Sequence, residues 1–199
     1  ERPGFPVRAI CADYTKPFSL PPLSDIDYQR KLVYFPGSTI GNFDRAETDR
    51  FLRHVAQTVG RDGGALIGVD LKKDPARLHA AYNDAAGVTA EFNLNVLRRI
   101  NNELGGKFDL TAFRHRAFYS ESLGRIEMHL LSLRSQTVTI ADRSIAFREG
   151  ETIHTEISCK YSIEEFQAIA QTAGMSPTGV WTDSNNLFSV HYLTVPSGK

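Results

Sequence analysis

The sequence predicts an α/β fold: the second half of a doubly wound sheet, lacking its first strands, with an inserted α+β subdomain. Strand-like apolar runs alternate with amphipathic helical patterns, which is typical of such sheets. Residues 65–71 are apolar almost without interruption, as expected for a strand that is buried on both faces. Residues 72–160 are too long for a sheet crossover, which indicates an insertion over the carboxyl edge of the sheet.

The first part of the chain predicts strand, loop, strand, helix and strand. Residues 6–12 form an apolar and β-branched run, which is expected to be a buried strand. The loop after it contains prolines that exclude helix and central strand. Leu32–Phe35 predicts a second strand, which ends at Pro36 and Gly37. Residues 65–71 are the third strand.

Two capping boxes predict the helices of the sheet layer. Asp44 and Ser162 are capping residues, and each is followed three residues later by a glutamate, Glu47 or Glu165. Apolar side chains then recur at helical spacing until a glycine ends each pattern. We therefore expect one helix before the strand at 65–71 and another near the end of the chain.

The remaining segments complete the predicted organisation. The elements expected after residue 72 are helices 75–82 and 89–104 and strands 125–134, 136–147, 151–160, 179–182 and 187–195. The domains expected are the second half of the sheet (1–71), a substrate-binding subdomain (72–160) and a closing helix with a β-hairpin (161–199).

Charge and composition exclude several classes of function. The 23 basic residues equal the 23 acidic ones, which excludes a nucleic-acid binder driven by bulk charge. No stretch approaches the ~20 apolar residues of a membrane span, so we expect a cytoplasmic protein without nucleic-acid or membrane partners. The histidines are scattered and the two cysteines, Cys11 and Cys159, lie far apart, so we expect neither a metal site nor a disulfide.

A glycine-containing loop follows the second predicted strand. Residues 34–43 place Gly37, Gly41 and Asn42 just beyond the strand end, where open α/β sheets bind their ligands. The spacing is neither that of a dinucleotide fingerprint nor that of a Walker loop. A ligand loop and a merely tight turn are both consistent with this pattern.

Two shorter motifs also have alternative interpretations. Asp13 and Tyr14 follow the first predicted strand, where a carboxylate and an aromatic ring can bind an adenine base; an ordinary turn is the alternative. Strand alternation places Glu156 and Ser158 on one face, where they can hydrogen bond an imidazole or guanidinium group. The alternative for this pair is a solvated strand face.

Four segments together resemble a known family. They read Y-F-P-G-S-T-I-G-N-F from residue 34, A-A-Y-N-D-A-A-G-V-T-A-E-F-N-L-N-V-L from residue 80, R-I-E-M from residue 125 and T-E-I-S-C-K from residue 155. The sequence closely resembles the histidine-specific, S-adenosylmethionine-dependent N-alpha methyltransferases of ergothioneine biosynthesis. The resemblance implies a Rossmann-like class I fold, S-adenosylmethionine as cofactor, and three methyl transfers to the α-amino group of L-histidine, which give trimethylhistidine (hercynine).

The resemblance also implies binding roles, and no catalytic role beyond positioning, for eight residues. The residues implied to bind the adenosyl group of the cofactor are Asp13 and Tyr14. Six residues are implied to bind histidine. Its backbone end is held by Asn42 and Tyr82, and its pocket is lined by Gly37 and Met128. Its imidazole ring is recognised by Glu156 and Ser158.

By the same resemblance, the family's glycine-rich cofactor loop precedes residue 1. We therefore expect an N-terminally truncated chain with little activity of its own, and a missing segment of the same protein as its partner. Two alternatives remain open. One is a non-catalytic fragment that binds amino acids, and the other is a methyltransferase for another amino acid.

Overall fold

The computed structural model describes residues 7–22 and 27–197 and confirms the predicted α/β class. The helices are α1 (Arg45–Val59), α2 (Pro75–Tyr82), α3 (Val88–Leu104) and α4 (Ile163–Thr172). The strands are β1 (Leu32–Phe35), β2 (Gly64–Asp70), β3 (Phe113–Ser120), β4 (Arg125–Ser132), β5 (Gln136–Ile140), β6 (Arg143–Phe147), β7 (Thr152–Cys159), β8 (Ser176–Thr182) and β9 (Phe188–Thr194). No helix among the described residues is long and apolar enough to cross a membrane.

The main sheet has the strand order β1-β2-β9-β8. Strands β1 and β2 are parallel, whereas β9 runs antiparallel to both β2 and β8. Helices α1 and α4 pack on this sheet and share its core, because the apolar side of each helix faces the strands. Its fully buried side chains include Leu52, Ile67, Phe166 and Leu193. Burial of a side chain of this size contributes about 1.5–3 kcal/mol.

Both predicted capping boxes are present. The Asp44 carboxylate accepts a hydrogen bond from the backbone N–H of Glu47, whose own carboxylate accepts one from Asp44. Ser162 and Glu165 make the equivalent pair at the start of α4. These caps pair backbone N–H groups that have no partner within the first helical turn.

A second, antiparallel sheet with the order β3-β4-β7 lies in the predicted insertion, and β5 and β6 form a separate hairpin. Helix α3 supplies Leu97 to a core that includes Phe113 and Leu130. Helix α2 supplies Leu78 to a smaller core with Met128. The predicted division of the chain into domains stays a prediction, although these elements fall within the boundaries it gave.

The two sheets meet where β2 and β7 end. Leu71 and Tyr161 form a parallel bridge just beyond these strands. The N–H of Lys72 donates to the Tyr161 carbonyl, and the Tyr161 N–H donates to the Asp70 carbonyl. Residues that follow β2 and residues that follow β7 are therefore held side by side.

Strand β7 carries one extra residue opposite β4. Met128 pairs with Glu156 and His129 pairs with His154, so Thr155 is the extra residue of a β-bulge. Paired residues project from the same face of a sheet, and neighbours along a strand project from opposite faces. Glu156 therefore shares the face of Met128, whereas His154 shares the face of His129.

The prediction of a strand at residues 6–12 was wrong. Residue 6 lies outside the described residues, and residues 7–12 are irregular and exposed, with Val7 88% and Ile10 43% accessible. An apolar, β-branched run has strand propensity, but propensity yields a strand only where a neighbour pairs with its backbone groups. No described strand pairs with this segment.

Two predictions within the insertion also need correction. Residues 136–147 were expected to be one strand but form the hairpin β5–β6, which turns at Ala141 with a φ of 51°. Asp142 is the only turn-favouring residue of the two-residue loop, and without a neighbouring glycine or asparagine this signal was too weak to divide the run. Strand β3 was missed because Arg114 and Arg116 occupy its exposed positions, with His115 between them, and the segment was interpreted as polar.

His191 is a buried titratable group in the main sheet. Its ring is fully buried beside Phe166, and its Nε2 atom lies 3.0 Å from the Ser189 Oγ atom. Desolvation lowers the pKa of His191 to about 4, from an ordinary value of 6.5. Between these two pH values the unfolded chain binds a proton that the folded chain excludes, so stability falls as the pH falls.

We expect His191→Leu to remove this part of the pH dependence. Between pH 7 and pH 4 the unsubstituted protein should lose up to about 3 kcal/mol of unfolding free energy that the variant retains. Urea unfolding at a series of pH values measures this difference directly. Parallel stability curves for the two proteins over this range would contradict the assignment.

Candidate active site

The loop between β1 and α1 lies against the end of β2. Ser38 has a left-handed conformation with a φ of 57°, and its Oγ atom accepts a hydrogen bond from the backbone N–H of Asp70 at 2.9 Å. Residues Thr39–Asn42 then form a single 3₁₀ turn. The glycine loop predicted from the sequence is thus tied to the strand end rather than projecting into solvent.

Close approach of this loop to β7 depends on one of its two glycines. A Cβ atom on Gly41 would lie 3.0 Å from the Cys159 carbonyl oxygen and 3.4 Å from the Ser158 Oγ atom. At Gly37 the nearest atom, Thr39 Oγ1, would be 3.7 Å away, which is ordinary contact. A side chain at Gly41 would therefore require the loop or β7 to shift by a few tenths of an ångström, whereas one at Gly37 would not.

A polar cluster lies beneath this contact. The side chain of Lys160 is 1% exposed, and its Nζ atom is 2.8 Å from Asp70 Oδ2. The same ammonium group donates hydrogen bonds to Ser158 Oγ at 2.7 Å and to Tyr82 Oη at 2.9 Å. The Tyr82 hydroxyl in turn donates to Ser158 Oγ at 2.8 Å. A buried ammonium is costly unless it is paired and hydrogen bonded, and this cluster meets both conditions.

The Glu156 carboxylate lies on the same strand face as Ser158. Glu156 is half-buried, and desolvation raises its pKa, while the charge of Lys160 acts in the opposite direction. None of the described residues hydrogen bonds to this carboxylate. A partly desolvated carboxylate without a protein partner can accept a hydrogen bond from a ligand.

The structure brings together most of the residues predicted to bind substrate. Tyr82 and Ser158 are hydrogen bonded, and Asn42 and Glu156 line one open cavity of about 340 Å³. Met128 is buried and pairs with Glu156 across the sheet. The last member of the predicted set, Gly37, lies in the bend that follows β1. The roles of these residues remain predictions.

Asp13 and Tyr14 lie apart from that cluster. The Tyr14 ring packs against Phe35 and Phe51, with centroids 5.8 and 6.4 Å away, at an apolar cavity of about 290 Å³. The Asp13 carboxylate accepts hydrogen bonds from the Thr15 hydroxyl and N–H, which lower its pKa, and it pairs with Lys16. Phe35 is the last residue of β1, so Tyr14 is at the carboxyl end of the sheet.

Sequence reasoning missed Lys160 and Asp70. Asp70 is an ionisable residue at the end of the largely apolar β2, and this was the available signal. Lys160 follows the more polar β7, where a charged residue does not stand out. Their 90-residue separation, from 70 to 160, hid the pairing, which depends on how the two sheets meet.

A further cluster of Glu127, His129 and His154 occupies the opposite face of the second sheet. One ligand atom from each lies within 4.8 Å of the others, and the two histidine rings stack with centroids 4.5 Å apart. The Glu127 carboxylate already accepts two hydrogen bonds from Arg125, which lower its pKa, and His129 is within hydrogen-bond distance of both Glu127 and Thr152. We assign no metal to this cluster, since these contacts compete with metal ligation.

Comparison with known proteins gives the class and then the family. A family described as "Histidine-specific methyltransferase, SAM-dependent" matches residues 1–195, so the chain is an α/β protein of the S-adenosylmethionine-dependent methyltransferase class. More particularly, the chain belongs to the histidine-specific methyltransferase family.

Individual relatives carry related names. The histidine N-alpha-methyltransferase of Mycolicibacterium smegmatis is 43% identical over 185 residues, which cover 92% of this chain and 56% of that protein. Ergothioneine biosynthesis protein 1 of Neurospora crassa is 33% identical over 179 residues, or 83% of this chain and 19% of that protein. Among solved structures, an S-adenosylmethionine-dependent methyltransferase from Clostridium acetobutylicum has 9% identity and a TM-score of 0.48, with coverage of 98% and 67%. The chain thus spans little more than half the length of the mycobacterial relative.

We expect Gly41→Ala to separate the loop from β7. The added methyl group overlaps the Cys159 carbonyl, and overpacking of this kind costs about 1–3 kcal/mol. Gly37→Ala is the matched control, because it adds the same methyl group to the same loop without a close contact. Urea unfolding of the two variants measures the difference, and equal stabilities would show that the approach of Gly41 imposes no constraint.

Proposed function

We propose that the protein carrying this chain methylates the α-amino group of L-histidine three times, giving hercynine for ergothioneine biosynthesis. The observation that supports this most directly is the placement of Glu156 and Ser158 on one strand face, where no residue that the structure describes hydrogen bonds to the Glu156 carboxylate. Family membership and the names of the relatives point to the same substrate.

The chemistry of that pair suits an imidazole ring. A neutral imidazole carries one N–H donor and one nitrogen acceptor. The Glu156 carboxylate can accept from the N–H, and the Ser158 hydroxyl can serve the other nitrogen. An amino acid that leaves buried polar partners unpaired can be rejected by a factor on the order of 10⁴.

We propose that Asn42 and Tyr82 hold the backbone end of histidine beside the loop. The amide of Asn42 and the hydroxyl of Tyr82 are uncharged hydrogen-bonding groups, so they can orient an amine without protonating it. A deprotonated amine is needed before each transfer, because the nitrogen lone pair attacks the methyl carbon. Asn42 and Tyr82 would contribute to the rate by orienting this lone pair toward the methyl carbon.

S-adenosylmethionine, when bound, supplies the methyl group from a sulfonium. The residues we propose for its adenosyl group are Asp13 and Tyr14. Their chemistry fits, because the aromatic ring of Tyr14 borders an apolar cavity at the end of β1 and the Asp13 carboxylate beside it can accept from an amino group. We propose that the rest of the cofactor site belongs to a preceding segment of the longer protein.

Two other functions compete with this proposal. A methyltransferase for another amino acid is disfavoured by Glu156 and Ser158 together, since a carboxylate and a hydroxyl suit a ring with one N–H and one unprotonated nitrogen. A fragment that binds histidine without transferring methyl groups requires only the residues of the polar cluster and cavity. Assays that separate binding from turnover distinguish these functions.

We expect the full-length protein to convert histidine into products heavier by one, two and finally three methyl groups. Mass spectrometry of reactions with histidine, arginine or tryptophan as the acceptor gives both the product and the specificity. Residues 1–199 alone serve as the comparison and should bind histidine with little turnover. Product that stops at one methyl group would contradict trimethylation, and turnover of tryptophan in place of histidine would identify the other substrate class.

We expect Glu156→Ala to abolish measurable histidine binding, and Glu156→Gln to weaken it about tenfold to a hundredfold. The amide keeps an acceptor oxygen but loses the charge, and a hydrogen bond to a charged group contributes about 1.5–3 kcal/mol. Isothermal titration calorimetry measures both variants, with Glu149→Ala in the exposed turn after β6 as the control. Unchanged affinity in a folded Glu156→Ala protein would exclude Glu156 from ring recognition.

A further inference from the structure

We propose that Lys160 is a positioning residue that forces the Ser158 hydroxyl to act as a hydrogen-bond donor toward the substrate ring. This inference rests on the proposed function, because it assigns to histidine's imidazole the group that receives that hydrogen bond. It concerns the direction of a proton within the site, which the identity of Ser158 alone leaves open.

The direction follows from a count of donors and acceptors around Lys160. An ammonium group has three donors and no acceptor, so its contacts with Ser158 at 2.7 Å and with Tyr82 at 2.9 Å are donated by the lysine. The Asp70 carboxylate, 2.8 Å away, balances the buried positive charge. Lysine therefore fills one acceptor position on each hydroxyl.

The direction of the hydrogen bond between the two hydroxyl groups follows. Tyr82 donates its single hydrogen to Ser158 at 2.8 Å. The Ser158 oxygen thus accepts from both Lys160 and Tyr82, which occupies both of its lone pairs. Its own hydrogen is left without an acceptor in the cluster and has to be donated outside it.

Ser158 and Glu156 project from the same face of β7, so the strand presents a donor and an acceptor side by side. A neutral imidazole satisfies both, because its N–H donates to Glu156 and its unprotonated nitrogen accepts from Ser158. A protonated imidazolium has two N–H donors and no acceptor, so it leaves the Ser158 hydrogen unpaired. The positive charge of Lys160, within hydrogen-bond distance of Ser158, disfavours that cation further.

Lys160 thereby selects the neutral ring, and a double-mutant cycle tests this. The proteins compared are the full-length protein and its Lys160→Met, Ser158→Ala and doubly substituted forms, titrated with histidine by calorimetry. We expect Lys160→Met to weaken histidine binding at least tenfold in the unsubstituted background. In the Ser158→Ala background the same change should alter affinity less than threefold, because Lys160 acts through the hydroxyl.

The pH dependence of binding gives a readout that a merely structural lysine would not move. Histidine affinity should fall about tenfold per pH unit below the imidazole pKa, near 6.5. Charged groups near Ser158 and Lys160 include Glu156, Asp70 and, through Asp70, Lys73. Lys160 also borders a cavity lined by Lys72, Arg125 and Glu165, and its charge acts on the ionisable side chains of Tyr119 and Cys159. In Lys160→Met the Ser158 oxygen regains a free lone pair and can accept a hydrogen bond from a protonated ring. The fall in histidine affinity at low pH should therefore become shallower in this variant, whereas the effects of the other charged groups on affinity should persist.

If Lys160→Met alone unfolds the protein, the combined substitution Asp70→Asn/Lys160→Met replaces it in the double-mutant cycle, because it removes both charges together. Equal losses of affinity in the two serine backgrounds, with an unchanged acidic limb, would overturn the role of Lys160 and leave the proposed function intact. Absence of histidine binding by the unsubstituted protein would refute the proposed function, and this inference with it.

Discussion

The buried ion pair between Lys160 and Asp70 is the interaction on which the rest of the site depends. Each residue comes from the end of a strand in a different sheet, and the buried charge of Lys160 is stable there because Asp70 balances it. Their attraction and the parallel bridge between Leu71 and Tyr161 hold the sheets at one place. Tyr82 and Ser158 are hydrogen bonded to the lysine that this pairing fixes, so the site follows from the junction of the two layers.

Local sequence signals predicted most of the elements that position the site. The capping boxes at Asp44 and Ser162 set the starts of two helices, and the apolar run before Asp70 set the central strand. These predictions were right because the information lies within a few residues of each element. Residues 7–12 show the limit of the same reasoning, since an apolar run needs a strand beside it before its propensity becomes structure.

The site was predictable in part for a similar reason. Alternation along β7 placed Glu156 and Ser158 on one face, and the structure keeps them there. The resemblance to a family added Asn42, Tyr82 and Met128, which the fold brings near that face. The contribution of Lys160 could not be predicted, because the sequence does not show that a lysine at a strand end meets a carboxylate 90 residues earlier and becomes buried.

The bulge at Thr155 affects whether the protein's own His154 could compete with substrate for Glu156. In a regular strand, His154, Glu156 and Ser158 would all project from one face. The protein's own imidazole would then lie two residues from the carboxylate that we propose for a substrate imidazole, at an effective concentration that a free amino acid could not match. The extra residue turns His154 onto the opposite face, where it stacks on His129. His154 still borders the open cavity that Asn42 and Glu156 line, but its ring stacks on His129 and makes no hydrogen bond to the Glu156 carboxylate. One inserted residue thus directs a built-in mimic of the substrate away from that carboxylate.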